Sequence, residues 1–595
     1  YLVGVPPHTS FTGWLAIFIA LTSNAFFLNF LITLLAAPLA LVLRNRRVTI
    51  LVIPMLFGLV NSFVFLDGIL YRLYRFHVNG MVVALMFAPK AGENFTIGTW
   101  TWFSGISLIA VIIALHAAFG IVGIRWLRQN VFLRRLRTKK HVAAAVALIF
   151  AVTAVDKGIY ACADIGDRTE YMRGKYIFPL YQAVTAKRWA SKRLGVEVHP
   201  KASLHVDMRS SSLNYPRRPL EFGLDMRKPN ILIVAVDSVR SDMLTAEITP
   251  FLHRWGSEHM IGKRHFTSGN RSTHGIFGMM YGINATYWNR VLSERRGPLI
   301  VSELKRLGYA FRVFSSTDTL FAEGSKTSFV QIREALFDQW DGDVPSYERD
   351  RINTDRFVEF LDSGERPFFV FIWHDAPHQP YRYPPEHEVF PVELRAEDIN
   401  YVKLAADKDQ ADKMFRRYKN SIHHVDAQLE RAISALEERG LMDETLIFIV
   451  GDHGEEFGES GLWGHGSAFS IQQIQTPLVA HVPGHASEVL ERVTSHVDIV
   501  PTILSYMGVK NPPSDYSSGV PLTAPSERSF VVVGSWDSAA AVDEDTIICF
   551  GLEAYNADIT ILDFNYVPVP DRKKAIAEKQ SVFLKVLEGL REFIH

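Results

Sequence analysis

Leu446-Ile-Phe-Ile-Val-Gly-Asp-His-Gly-Glu-Glu456 decides the fold: five apolar residues run unbroken to Gly451 and then into the adjacent Asp452 and His453. An apolar run of this length, closed by turn residues, predicts a strand buried on both faces, as in a parallel sheet. Far upstream the layout repeats in Asn230-Ile-Leu-Ile-Val-Ala-Val-Asp237-Ser-Val-Arg240, a second buried strand with a carboxylate at its end. Ligands of open α/β sheets bind beyond the carboxyl ends of the strands. Asp237, Asp452 and His453 can therefore converge although 215 positions separate the two aspartates. Asp and Gly are also ordinary turn residues, so it is the repetition, rather than either segment alone, that points to an active site.

Around these two strands, residues 229–595 alternate apolar strands with amphipathic helices, which predicts one large α/β domain. Strands are expected at Ala310–Phe314, Pro367–Trp373, Thr445–Val450, Pro477–Val482 and Ser529–Val533. A helix is expected over Ala411–Arg439, where Met414, Tyr418, Ile422 and Val425 recur at helical spacing.

The other end of the chain has a different composition. Hydrophobic residues make up 48% of the 595, a share raised by four nearly uncharged stretches, Phe11–Leu43, Val48–Tyr71, Thr99–Ile124 and Val142–Cys162. Each reaches the roughly 20 residues a bilayer core requires, so four transmembrane helices are expected within residues 1–165. Asn24 and Asn29 are isolated polar positions, and the first stretch reads as one tilted span. Basic residues cluster at Arg44-Asn-Arg-Arg47 and between Arg125 and Lys140, whereas the loop from Arg72 to Gly98 holds only Arg72, Arg75 and Lys90. The basic side is expected to be cytoplasmic, which puts Tyr1 and the C-terminal domain outside the cytoplasm. Because the chain opens on Tyr rather than Met, a further upstream span is expected, with a cleaved signal peptide as the alternative.

Residues 166–228 form a basic junction. Lys187, Arg188, Lys192 and Arg193, interleaved with Tyr176, Phe178, Tyr181 and Trp189, suit contact with lipid phosphates and headgroups, although a solvated linker has the same composition. A net charge of zero argues against a nucleic-acid partner. The two cysteines, Cys162 and Cys549, give no disulfide framework.

The remaining chemistry lies on loops. Ser268-Gly-Asn-Arg-Ser-Thr-His-Gly-Ile-Phe-Gly-Met-Met-Tyr281 sets hydroxyls just before an apolar helical pattern. A helix N-terminus there suits an anion and a nucleophilic Ser272 or Thr273, while a plain N-cap uses the same residue types. His378, in Trp373-His-Asp-Ala-Pro-His-Gln-Pro380, and His465, in Trp463-Gly-His-Gly466, follow strands and can hold a substrate oxygen or protonate a leaving group.

Val236-Asp-Ser-Val-Arg-Ser-Asp242, Gly451-Asp-His-Gly-Glu455, Thr476-Pro-Leu-Val-Ala-His-Val-Pro-Gly484 and Val497-Asp-Ile-Val-Pro-Thr-Ile-Leu504 occur in the order found in the alkaline phosphatase and sulfatase superfamily, which the chain resembles over residues 229–520. The resemblance implies a mixed central sheet flanked by helices. Its membrane-anchored phosphoethanolamine and phosphoglycerol transferases use one acidic residue, a Thr nucleophile and an Asp-His pair around a divalent metal, and the resemblance implies Asp237, Ser272, Asp452 and His453 as the matching positions here. Counting back from Phe277 at the expected helix start favours Ser272 over Thr273, and His378 and His465 match the substrate-side histidines.

With its helices, basic junction and sulfatase-like domain, the whole chain resembles the YejM-type (PbgA-type) inner-membrane proteins. That resemblance implies lipopolysaccharide or anionic phospholipid at the junction, a LapB-like membrane regulator as partner, a role in outer-membrane lipid homeostasis, and cardiolipin transport as an alternative. Enterobacterial members have a degraded Asp-His pair, whereas Asp452 and His453 are intact here.

An Asp, His and hydroxyl set suits Zn²⁺ in a tetrahedral site, with Mg²⁺ or Mn²⁺ as alternatives. The sulfatase pattern Cys/Ser-x-Pro/Ala-x-Arg is missing from Asn270–His274, which disfavours sulfate-ester chemistry. The expected function is a lipid-sensing, lipid-homeostasis protein whose outer domain retains a metal site, with a metal-dependent phosphatase or phosphoethanolamine or phosphoglycerol transferase on lipid-linked substrates, and a cardiolipin transporter, as alternatives.

Overall fold

The computed structural model describes residues 1–5, 9–43, 45–78, 98–129, 139–166, 168–186, 189–190, 193, 212–319, 324–552 and 559–594. It divides into two compact units, Tyr1–Ser203 with Glu397–Ala406, and Leu204–Ala396 with Asp407–His595.

The first unit is built on α1 (Phe11–Val42), α2 (Arg46–Tyr74), α3 (Thr99–Gln129) and α4 (Lys139–Ile165). All four are long and apolar enough to cross a membrane, and α1 is a single helix, as its unbroken apolar run predicts. Ser10 caps α1 by accepting from the Gly13 amide at 3.0 Å, and Phe11, Leu35 and Phe119 are among the many large apolar side chains left exposed. Such surfaces suit a lipid solvent. Two polar side chains inside the helices find partners: the Asn24 amide donates to the Pro179 carbonyl at 3.1 Å, and Asn61 on α2 meets His116 Nε2 on α3 at 3.2 Å.

The junction differs from expectation at two aromatics. Phe178 is buried in a cluster with Ile17, Ala20 and Ile177, and Tyr181 donates to Asp156 at 2.7 Å, so neither is free to lie at a lipid headgroup. Lys187, Arg188 and Lys192 lie outside the described residues, as do Arg134, Arg135 and Arg137 of the orientation argument. Arg193 and Trp189 are exposed. Both cysteines are free thiols.

In the second unit the strands are β1 (Asn230–Val236), β2 (Met260–Phe266), β3 (Ala310–Ser315), β4 (Leu336–Phe337), β5 (Phe368–His374), β6 (Thr445–Gly451), the short pair β7 (Glu456–Phe457) and β8 (Trp463–Gly464), β9 (Leu478–His481) and β10 (Glu488–Ser495). Eight of them form a mixed sheet in the order β10-β2-β9-β6-β1-β5-β3-β4. The strands β6, β1, β5, β3 and β4 run parallel, and β9 runs antiparallel to β2 and β6. Ile231, Ile233 and Ala235 join one core cluster, and the alternating Leu232 and Val234 are fully buried as well. Both faces of the sheet are therefore covered, which explains the continuous apolar runs. Helix α5 (Pro250–Ser257) precedes β2, α6 (Ser272–Tyr281) follows it, and α7 (Ser346–Asp362), α8 (Lys408–Glu438) and α9 (Ile499–Tyr506) complete the layers that matter for the site.

Two features depart from the sequence expectation. Leu213 and Tyr215 sit in the core of this unit, so it takes in residues upstream of 229. Beyond β10, β11 (Val531–Gly534), β12 (Ser538–Val542), β13 (Ile547–Gly551) and β14 (Thr560–Leu562) form a separate four-stranded antiparallel sheet. Three of the five residues of its second strand, Ser538-Ala-Ala-Ala-Val542, are alanine, the strongest helix former, and cross-strand pairing with β11 and β13 overrides that propensity.

Candidate metal centre and nucleophile

Strand register builds the centre. Val236 of β1 pairs with Gly451 of β6 and with His374 of β5, so the next residues, Asp237, Asp452 and Asp375, leave the sheet side by side. The Asp452 amide donates to the Val236 carbonyl at 3.1 Å and the Asp237 amide to the His374 carbonyl at 2.9 Å. Ser238 then turns sharply at φ +61, a left-handed conformation uncommon outside Gly. Its amide donates to Asp452 Oδ1 at 3.0 Å and its hydroxyl to Asp237 Oδ1 at 2.7 Å, which orients both carboxylates.

The hydroxyl arrives from α6. Ile276, Phe277, Met279, Met280 and Tyr281 are almost wholly buried, and Phe277 stacks on Tyr281 with ring centres 4.3 Å apart. Burying each such side chain contributes roughly 1.5–3 kcal/mol. At Gly275 the helix presses on β6, since a Cβ there would lie 2.2 Å from the Asp452 carbonyl oxygen. The helix begins at Ser272 with Arg271 as its N-cap and no side-chain cap bond. It thus starts ahead of Phe277, with both hydroxyl residues in its first turn, and neither serves as the cap.

Asp237, Asp452 and His453 each present a ligand atom within 4.8 Å of the others, and all three are buried. Ser272 Oγ lies 3.0 Å from His453 Nε2 and 3.4 Å from Asp237 Oδ2. The four residues singled out in the sequence therefore meet. Thr273 makes no side-chain hydrogen bond to the cluster. His453 Nδ1 lies 3.0 Å from the Gly454 carbonyl. That contact makes Nδ1 the donor and leaves the Nε2 lone pair facing Ser272 and the carboxylates.

The electrostatics call for a cation. Burial and then the neighbouring Asp237 push Asp452 well above the usual carboxylate range. Asp237, whose ionisation burial opposes, is held low by His378, His453 and His465. Asp452 Oδ2 is buried and has no hydrogen-bond partner. An orphaned carboxylate oxygen, a second carboxylate and a lone-pair imidazole nitrogen fit a divalent metal, which lets both carboxylates ionise.

The two loop histidines expected on the substrate side lie alongside. His465 stacks near His453 with ring centres 4.1 Å apart, and His378 is 5.5 Å from His465. Glu455, quoted in the opening stretch without a role, accepts from Tyr381 at 2.7 Å and from His465 Nδ1 at 2.7 Å, which turns the other nitrogen of His465 outward. Asp350 on α7 accepts from the Asp375 and Ala376 amides at 2.9 Å each and so clamps the loop that carries His378. Arg271, also without a sequence role, rests against Gly466 and over Trp536. Burial lowers its guanidinium to about 10, still charged at neutral pH. Arg271 adjoins Ser272 and Glu455 lies two residues past His453, the one signal that could have marked them.

Residues 229–509 match the sulfatase family, and residues 1–222 match a domain of unknown function, DUF3413. The inner membrane protein YejM of Salmonella typhi is 23% identical over an alignment covering 100% of this chain and 94% of that protein. Choline-sulfatase of Rhizobium meliloti is 22% identical over 53% of this chain and 75% of its own length. Among solved structures, phosphonate monoester hydrolase SpPMH from Silicibacter pomeroyi is similar with TM-score 0.50 and 18% identity, covering 62% of this chain and 96% of that one, a likeness of fold. With a relative aligned over the whole of this chain and a family match in each of its two parts, the chain is a YejM-like protein of the alkaline phosphatase and sulfatase superfamily.

Proposed function

We propose that this chain is an inner-membrane, metal-dependent enzyme that cleaves or transfers a phosphate ester on a lipid-linked substrate, with its α/β unit on the periplasmic side. The observation that carries this reading is the Ser272 hydroxyl, 3.0 Å from His453 Nε2 and 3.4 Å from Asp237, in the cluster that holds the unpaired Asp452 Oδ2. Asp237, Ser272, Asp452 and His453 would hold the metal, and their mixed oxygen and nitrogen donors favour Zn²⁺. A bound metal supplies Lewis acidity, lowers the pKa of the hydroxyl and neutralises phosphate charge.

The chain's own residues do the rest. Ser272 Oγ attacks phosphorus at the uncapped start of α6, where the Ser272 and Thr273 amides have no intrahelical acceptor. The Ser272 hydroxyl proton leaves to solvent, an Oγ–P bond forms as the ester P–O bond breaks, and His378, which Asp237 and Asp375 raise to about 9 against the effect of burial, protonates the departing oxygen. Water or a lipid hydroxyl then takes the phosphoryl group from Ser272. The similarity to an inner membrane protein and the four candidate spans support the location.

Metal analysis of the purified protein should find one ion per chain, lost in Asp452→Asn. Phosphate-ester turnover should vanish in Ser272→Ala, and turnover that survives both Ser272→Ala and Thr273→Ala ends the proposal. A second reading concerns the junction, where exposed Trp189 and Arg193 support binding of lipopolysaccharide or anionic phospholipid. Charge reversal at Lys187, Arg188, Lys192 and Arg193 should abolish co-flotation with anionic vesicles, and undiminished flotation would exclude it.

A further inference from the structure

Arg271 is a half-buried cation beside the nucleophile, with a buried Nε and little to satisfy it. One hydrogen bond is made, from Nη2 to the Gly466 carbonyl at 2.9 Å. Gly466, at φ +75, admits the guanidinium because a Cβ there would stand 3.1 Å from Nη2. The guanidinium carbon sits 4.7 Å from the centre of the Trp536 ring. Arg271 Nε and Trp536 Nε1 are both buried and have no acceptor. Arg240, a buried arginine near these strand ends, is by contrast paired with Asp242 and Glu459. Among the described residues no carboxylate lies within ion-pair distance of Arg271.

A buried donor without an acceptor is costly, and Asp537, the carboxylate whose charge reaches Arg271, makes no ion pair with it. Arginine and tryptophan side chains donate and cannot accept, so the missing group must bring acceptor oxygens, and the positive charge selects an anion. The neighbouring residue is Ser272, at the N-terminus of α6, where backbone amides also favour an anion.

We propose that Arg271 is the substrate-binding cation of this site, held by Gly466 and Trp536, and that it takes an anionic oxygen of the phosphate group that Ser272 attacks. The proposal rests on the phosphate-ester reading above and adds to it a residue that no ligand set or sequence motif marked. Calorimetric titration of the full-length, Zn²⁺-loaded protein in detergent with inorganic phosphate tests it.

Wild type should bind phosphate, and Arg271→Gln should weaken binding about 10- to 100-fold, the size of one charge-assisted hydrogen bond. Arg271→Lys, which keeps the charge without the planar fork, should fall between them. Trp536→Phe, which keeps a ring and removes Nε1, should cost a few-fold. Metal content should stay at one ion per chain throughout. If Arg271→Gln loses its metal or its thermal transition, Arg271→Lys and Trp536→Phe carry the comparison. Wild-type affinity in Arg271→Gln with metal retained, or no phosphate binding by wild type, overturns the proposal. Arg271-dependent phosphate binding in a protein that turns over no ester would leave it standing and remove the catalytic reading instead.

Discussion

Gly275→Ala offers a test in which packing and helix propensity predict opposite signs. Inside a helix, alanine is favoured over glycine by about 1 kcal/mol, so on propensity alone the variant gains stability. The structure predicts a loss. A Cβ at position 275 would stand 2.2 Å from the Asp452 carbonyl oxygen and 3.0 Å from its carbonyl carbon, where ordinary contact begins at 3.4 Å. The start of α6 and the end of β6 must therefore separate by about 1.2 Å, the difference between 3.4 and 2.2. Overpacking of this kind costs typically 1–3 kcal/mol, which cancels or exceeds the helix gain. The chemical effect is larger, because the two backbones that must part carry Ser272 and Asp452. A misplacement of about 1 Å at a reacting group can cost on the order of 100-fold in rate. Thermal unfolding, metal content and phosphate-ester turnover should be compared with those of Gly589→Ala, whose Cβ would meet only the Asn284 amide nitrogen at 3.7 Å. A Gly275→Ala protein as stable as wild type, with full metal affinity and turnover, would falsify the account of how α6 seats its hydroxyl.

Three further outcomes follow from the same contacts. A chelator should lower the unfolding temperature of metal-loaded wild type and leave that of Asp452→Asn unchanged, since the stabilisation comes from binding to the folded state alone; an equal shift in both would place the metal elsewhere. Ser238→Ala and Ser238→Gly both remove the hydroxyl that holds Asp237, so each should weaken metal binding about 10-fold or more. Only the glycine variant relieves the φ +61 backbone, and it should be the more stable of the two by unfolding. Asp426 accepts from the Phe251 and Leu252 amides at the start of α5, yet burial raises its carboxyl to about 6. A folded pKa above the unfolded value means that the group's contribution is fully present below about pH 4 and is lost as pH rises through about 6. Asp426→Asn should therefore gain on wild type by on the order of 2 kcal/mol between pH 4 and 7, and a flat difference across that range would contradict it.

Much of this was legible along the chain. Leu446–Val450 and Ile231–Val236 announce themselves as strands because both faces of the sheet are covered and every position must be apolar. The four spans are equally plain, because a bilayer core tolerates few charges. The second sheet was hidden because an alanine-rich strand carries no β signal until its neighbours pair with it. The true start of α6 was hidden because Gly275 and Gly278, poor helix formers, interrupt its first two turns for the sake of close approach.

The sequence by itself determined the elements, the membrane segments and the kinds of chemistry on offer: carboxylates at strand ends, hydroxyls before a helix, imidazoles on loops. Hydrophobic pattern and side-chain type are local properties and can be read one window at a time. Tertiary structure alone decided which of these groups meet. The pairing of Val236 with both Gly451 and His374 aligns three strand ends, the bare Cα of Gly275 lets α6 reach them, and Glu455 and Arg271 gain their roles from residues distant in sequence. Strand register and helix seating depend on contacts across hundreds of positions, and no local pattern encodes them.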